Sequence, residues 1–157
     1  ISVRKRTNKP IPLFQQEAAL KSFFPDSKIS RKSDSEITWT HTVKPTPLSA
    51  AYTLLLHYKK TDGAKVYVVS PKPLRLAEGK DRLPHVYNQA EQRLCLYFPI
   101  TNEWNPSMLY VKTLIPWACE WLMHYEIWVG TGEWKGGGIE HDEENNEEEE
   151  EKEEREN

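Results

Sequence analysis

One stretch of the chain gathers residues that can do chemistry together. Cys95 sits in the run Arg-Leu-Cys-Leu-Tyr-Phe-Pro, ten positions after His85, with Tyr87 and Asn88 between them. A cysteine sulfur attacks as the thiolate, so it needs surroundings that favour negative charge near neutral pH. An acyl group taken up by that sulfur passes through a tetrahedral oxyanion, which an Asn amide or a backbone N–H can stabilise. Pro84 introduces an irregular stretch here, and polar side chains on such a stretch can be turned toward a nearby sulfur. Cys95, His85 and Asn88 are therefore the candidate catalytic set. Tyr87, Glu103 and Trp104 are candidates for positioning a substrate or the loop.

Each residue also has a plainer reading. Cys95 lies between Leu94 and Leu96 and can be a small buried apolar group, since free cysteine is among the most buried residue types. His85 can be a hydrogen-bonder that pins its loop, and Asn88 an ordinary turn residue. Glu103 can attract or deprotonate an incoming lysine, or simply be a solvated loop carboxylate. Trp104 suits packing beneath the site. Cys119 falls beside the apolar stripe of a helix and reads as packing. His41 and His57 lie in strands, and His124 stands four residues after Glu120 on a helix; all three read as structural. His141 opens the C-terminal tail. Two distant cysteines and scattered histidines do not form a zinc pattern, so no metal site is expected.

The elements that must position these groups are legible from period and punctuation. Residues 13–24 (LFQQEAALKSFF) have roughly helical apolar spacing and stop at Pro25-Asp26. Residues 27–35 read as a polar connector. Residues 36–44 alternate as a strand, with Ile37, Trp39, His41 and Val43 on one face. Residues 50–60 and 64–70 are two more strands, joined by a hairpin-type turn at Thr61-Asp62-Gly63. Residues 71–84 are irregular, and 93–98 suit a short extended piece. Residues 113–129 are the strongest helix. Leu114, Trp117, Ala118, Trp121, Leu122, Tyr125 and Trp128 make its apolar stripe, Thr113 is the expected N-cap, and Gly130-Thr-Gly132 the end. The order predicts an α+β domain: an antiparallel meander with helices on one face.

The 157 residues suggest one domain. The formal charge of −3 conceals an uneven distribution. Residues 140–157 hold twelve acidic and two basic side chains, a charge of −10, which leaves +7 on the rest. The expected organisation is a basic N-terminal arm over 1–12, a domain over 13–139 and an acidic disordered tail over 140–157. Arg4, Lys5, Arg6 and Lys9 form one basic cluster, and Lys28, Arg31 and Lys32 another. No nucleic-acid-binding signature accompanies them, so a protein partner is expected rather than nucleic acid. No apolar run reaches the length of a membrane span and no apolar leader opens the sequence. Two cysteines give no disulfide framework, which suits a reducing, cytoplasmic setting.

The segment from His85 to Pro106 resembles the active-site segment of the ubiquitin-conjugating (E2) enzymes. Their pattern is His-Pro-Asn, a short spacer, Ile/Leu-Cys-Leu, then Trp-Ser-Pro before a helix. Here His85, Leu94-Cys95-Leu96, Trp104 and Pro106 fall in register, and the preceding helix and meander match that fold over roughly 13–129. Val86 and Tyr87 replace the Pro and Asn of the motif, with Asn88 one position later. The Trp-rich helix and the Gly-Glu-Trp-Lys-Gly-Gly-Gly stretch resemble the compact bacterial E2-like proteins of CBASS antiphage operons. The resemblance implies a UBC-like fold and a Cys95 that carries a protein C-terminus as a thioester. It implies an E1-like activating enzyme as donor, with the N-terminal helix and arm as its docking site. It implies a cGAS-like nucleotidyltransferase, or a ubiquitin-like protein, as the cargo passed to an amine. A non-catalytic binding module on the same fold, or a Cys/His hydrolase using Cys95 and His85, are the competing readings.

Overall fold

The computed structural model of the chain describes residues 9–136. The basic cluster at Arg4, Lys5 and Arg6, the expected boundary at Ile139, His141 and the acidic stretch 140–157 lie outside the described residues.

Helix α1 (Leu13–Phe23) is followed by strands β1 (Lys28–Lys32), β2 (Glu36–Val43), β3 (Tyr52–Lys59) and β4 (Gly63–Ser70). Two short strands come next, β5 (Val86–Asn88) and β6 (Arg93–Leu94), and then helix α2 (Leu114–Thr131). All pairings are antiparallel, and the sheet order is β1-β2-β3-β4-β6-β5. The fold is thus the expected α+β arrangement, but its meander is widened at both edges. The polar connector 27–35 contains an edge strand. Lys-Ile-Ser-Arg-Lys carries a single apolar side chain, so periodicity is silent there, and Ile29 opposite Trp39 sets the register. On the far edge the extended piece stops at Leu94, and β5 supplies the sixth strand.

Strand periodicity decides the core. In β3 Tyr52, Leu54, Leu56 and Tyr58 turn inward, and in β4 Ala64, Val66 and Val68 do the same. Gly63 adopts a left-handed φ of 76° where the β3–β4 hairpin reverses, a conformation glycine takes without steric cost. From α2 the buried face is Leu114, Ile115, Ala118, Trp121, Leu122, Tyr125 and Trp128. These side chains join one apolar core with those of the sheet, and the Tyr125 ring stands edge-on to Tyr52 at 6.1 Å. Beyond the ring contact, Glu126 accepts hydrogen bonds from Ser49 Oγ at 2.5 Å and Tyr52 Oη at 3.0 Å, which fastens α2 to the β2–β3 connection.

Thr113 does not cap α2 through its side chain. Its Oγ1 donates to Leu109 O and accepts from Trp104 Nε1, so the hydroxyl serves the loop instead. The helix runs past Gly130 and ends at Gly132, whose φ of 75° allows its N–H to reach Trp128 O. Among the described residues no helix is long and apolar enough to cross a membrane.

Candidate functional site

Cys95 follows directly on β6. Its N–H donates to His85 O at 3.1 Å, continuing the β5–β6 pairing by one step and placing the residue at the open end of a small hairpin. Trp121 Nε1 of α2 donates to the same carbonyl at 2.9 Å. His85 therefore holds the nucleophile candidate through its backbone, and it does so at a φ of 49°. Gln92 (φ 53°) and Asn102 (φ 55°) are also left-handed, so three of the four described non-glycine residues with positive φ flank Cys95 within ten positions. Such conformations cost about 1 kcal/mol each and persist only where surrounding contacts enforce them. The His85 ring lies 5.0 Å from Trp134, which itself lies 5.4 Å from Trp121. The Trp in the Gly-rich C-terminal stretch is thus part of the wall beside the site.

Tyr87 is the residue placed at the sulfur. Its hydroxyl donates to Tyr97 O at 2.5 Å, and the phenol and the Cys95 thiol influence each other's ionisation. Burial pushes the Cys95 thiol up from its ordinary range. The Tyr87 hydroxyl and the positive charge of Arg93 pull it down, and the carboxylate of Glu103 adds a smaller push upward. The sulfur is therefore a thiol at neutral pH, held beside a hydroxyl and a guanidinium that favour its ionisation. Cys119 is half-buried on α2, raised by burial alone.

The other expected residues are placed as follows. Asn88 is exposed at the end of β5, and its Oδ1 accepts the Glu91 N–H at 2.8 Å, closing the β5–β6 turn. Glu103 is exposed on the loop after Cys95. Trp104 is buried, with Tyr97 at 5.6 Å, Tyr110 at 6.1 Å and Tyr58 at 6.2 Å. Behind it Asn105 accepts the Ser107 N–H, and Pro106 O receives the Ile11 N–H, so the Trp-Asn-Pro turn ties the start of the described chain to the site loop. Among the described residues no cluster of three or more His, Cys, Asp or Glu can hold a metal ion.

Two residues outside the motif complete the site. Gln92, 1% exposed, donates to Val68 O and Pro71 O and accepts the Leu74 N–H at 2.6 Å. It fixes the start of β6 against the irregular 71–74 segment. A glutamine in a turn carries no signal of burial, so nothing in the sequence marks it. Arg93 is different. It stands two residues before Cys95 on the same strand face, a position that strand period alone marks. Its guanidinium lies 4.7 Å over the Tyr87 ring.

A search of curated proteins finds no match for the chain. A family model described as Type II CBASS E2 protein matches residues 16–142, a span that includes the whole sheet, the Cys95 hairpin and α2. On that match the chain belongs to the Type II CBASS E2 proteins.

Proposed function

We propose that this chain is a protein-conjugating enzyme with Cys95 as its thioester nucleophile. The observation that carries the reading is the Cys95 hairpin. The Cys95 backbone is pinned to His85 O, Trp121 holds the same carbonyl, and the whole lies within the E2 family match. In the first step the Cys95 thiolate attacks the thioester carbonyl carbon on an E1-like activating enzyme. A C–S bond forms, the oxyanion collapses, and the activating enzyme's own thiolate leaves. In the second step an amine attacks the new thioester, an amide forms, and Cys95 departs as thiolate while the amine's proton passes to solvent or a nearby base. Adenylation belongs to the partner, so this chain supplies no cofactor chemistry.

We assign the following roles. Asn88 is the proposed oxyanion donor, through its side-chain N–H group, since its Oδ1 accepts the Glu91 N–H. His85 orients Cys95 by its carbonyl. Tyr87 favours the ionised form of the Cys95 sulfur. Glu103 meets the cationic amine, and Trp104 packs the loop that carries it. The cargo is a cGAS-like nucleotidyltransferase joined through its own C-terminus, or a ubiquitin-like protein, in a reducing bacterial cytoplasm. The N-terminal helix and arm dock the activating enzyme.

The test is conjugation by purified components: this chain, the activating enzyme of the same operon, ATP and the nucleotidyltransferase. A reductant-resistant amide product that is lost in Cys95→Ala supports the reading. Binding of the partners with no covalent product favours a non-catalytic module. Release of a cleaved C-terminus with no amide favours a Cys/His hydrolase.

A further inference from the structure

Arg93 is a charge without a carboxylate. Its side chain is half-buried on β6, opposite Tyr67 of β4 and facing away from the buried Leu94. Its Nε is buried and has no hydrogen-bond partner, and among the described residues no Asp or Glu lies within ion-pair distance of it. The guanidinium rests instead on the Tyr87 ring at 4.7 Å. A partly desolvated cation of this kind is costly unless an anion answers it. Arginine suits the task, since it stays charged and stacks on aromatic faces.

The groups that feel this charge are Cys95, Tyr87, Tyr97 and Tyr67, each of them neutral when protonated. Of these, only Cys95 is a group whose function needs negative charge. Strand period puts its side chain on the face that Arg93 occupies. The opposing carboxylate is Glu103, and Tyr87, whose ring carries the guanidinium, acts on the sulfur in the same direction as Arg93.

We propose that Arg93 is the counter-charge of the Cys95 site, a positioning residue that acts through Tyr87 and makes the site selective for negative charge developing at the sulfur. The proposal rests on Cys95 being the nucleophile of the proposed function. It does not depend on which partner supplies the acyl group.

Alkylation reads the effect without any partner. In a Cys119→Ser background the Cys95 sulfur displaces iodide from neutral iodoacetamide or from anionic iodoacetate; the S–C bond forms, C–I breaks, and the thiol proton goes to solvent. Removing the counter-charge in Arg93→Gln slows both reactions, by about tenfold if the charge governs one unit of thiol ionisation, and lowers the iodoacetate-to-iodoacetamide rate ratio because only the anionic reagent is itself attracted by the charge. Arg93→Lys restores most of the ratio. In the unsubstituted site added salt lowers the same ratio, a measurement that needs no Arg93 variant to fold. Glu103→Gln raises both rates. An unchanged ratio in Arg93→Gln, a salt-independent ratio, or an Arg93→Lys as impaired as Arg93→Gln overturns the proposal. A failed thioester assay with a normal ratio instead strikes the proposed function and leaves Arg93's electrostatic role standing.

Discussion

Two regions of this molecule are held in different ways. The body made of β2, β3, β4 and α2 is held by burial in register. Leu54, Leu56 and Val68 are fully buried and alternate with half-exposed neighbours, and backbone polar groups are satisfied by the ladder. The span from 71 to 113 contains two very short strands and two 3-10 turns, and it is held by side chains that take the place of the ladder. Gln92 clips 71–74 to β4, and Gln89 exchanges two hydrogen bonds with Leu83 at 2.8 Å each. Gln16 of α1 donates to Met108 O and accepts the Tyr110 N–H. Tyr97, Trp121 and Tyr125 each donate to a carbonyl at a distance in sequence. Regular pairing would tuck Cys95 into a continuous strand. A backbone tied by individual amides and hydroxyls can leave the ladder after one residue and still be fixed.

The contrast predicts how each region fails. Leu54→Ala should cost about 3 kcal/mol, the usual range for emptying a closed core site, and lower the denaturant midpoint for the whole molecule at once. Gln92→Ala strands a buried N–H and two carbonyls, so it should cost about 2 kcal/mol. Its increased amide exchange should concentrate at Leu74 and the Cys95 hairpin, with β2 and β3 little affected. An even rise across the sheet would erase the distinction between the regions. Trp121→Phe removes one donor to His85 O and should cost about 1 kcal/mol. Its main effect should be on Cys95 alkylation, because the same carbonyl holds the Cys95 N–H. The smallest effect is expected at Arg31, whose Nε meets Glu17 at 2.6 Å near the surface. Arg31→Ala should change stability by about 0.5 kcal/mol and leave Cys95 reactivity alone. The hydrogen bond to Arg31, and then that to Lys21, lowers the Glu17 carboxyl, so its small stabilisation is present above the unfolded carboxyl range and fades as pH falls through the lowered folded value.

The same division explains how much could be read from the sequence. Strands β2, β3 and β4 and the stripe of α2 are legible because one face of each is buried, and burial writes period two or 3.6 into the residues. β1 is not, because an exposed edge strand needs no such pattern. Within the site, His85, Cys95 and Trp104 are legible as a spaced motif. The means by which His85 acts are not, because the atom that holds Cys95 is a backbone oxygen common to every residue. Thr113 stands at the N-cap position that the sequence predicts, but its hydroxyl serves Trp104 and Leu109 rather than the helix N–H groups. Gln92 and Gln16 are invisible for a physical reason, since an amide is buried only where the tertiary fold brings it matching partners. Arg93 lies between these cases, marked by strand period as a neighbour of Cys95 and given meaning only by the Tyr87 ring beneath it.

The central claim is that the sulfur of Cys95 carries the acyl group. Intact-mass and peptide analysis after brief incubation with the activating enzyme, ATP and the cargo protein tests it directly. The account predicts a thiol-sensitive adduct that maps to Cys95, survives Cys119→Ala and vanishes in Cys95→Ala. An adduct that persists in Cys95→Ala and disappears in Cys119→Ala would contradict it.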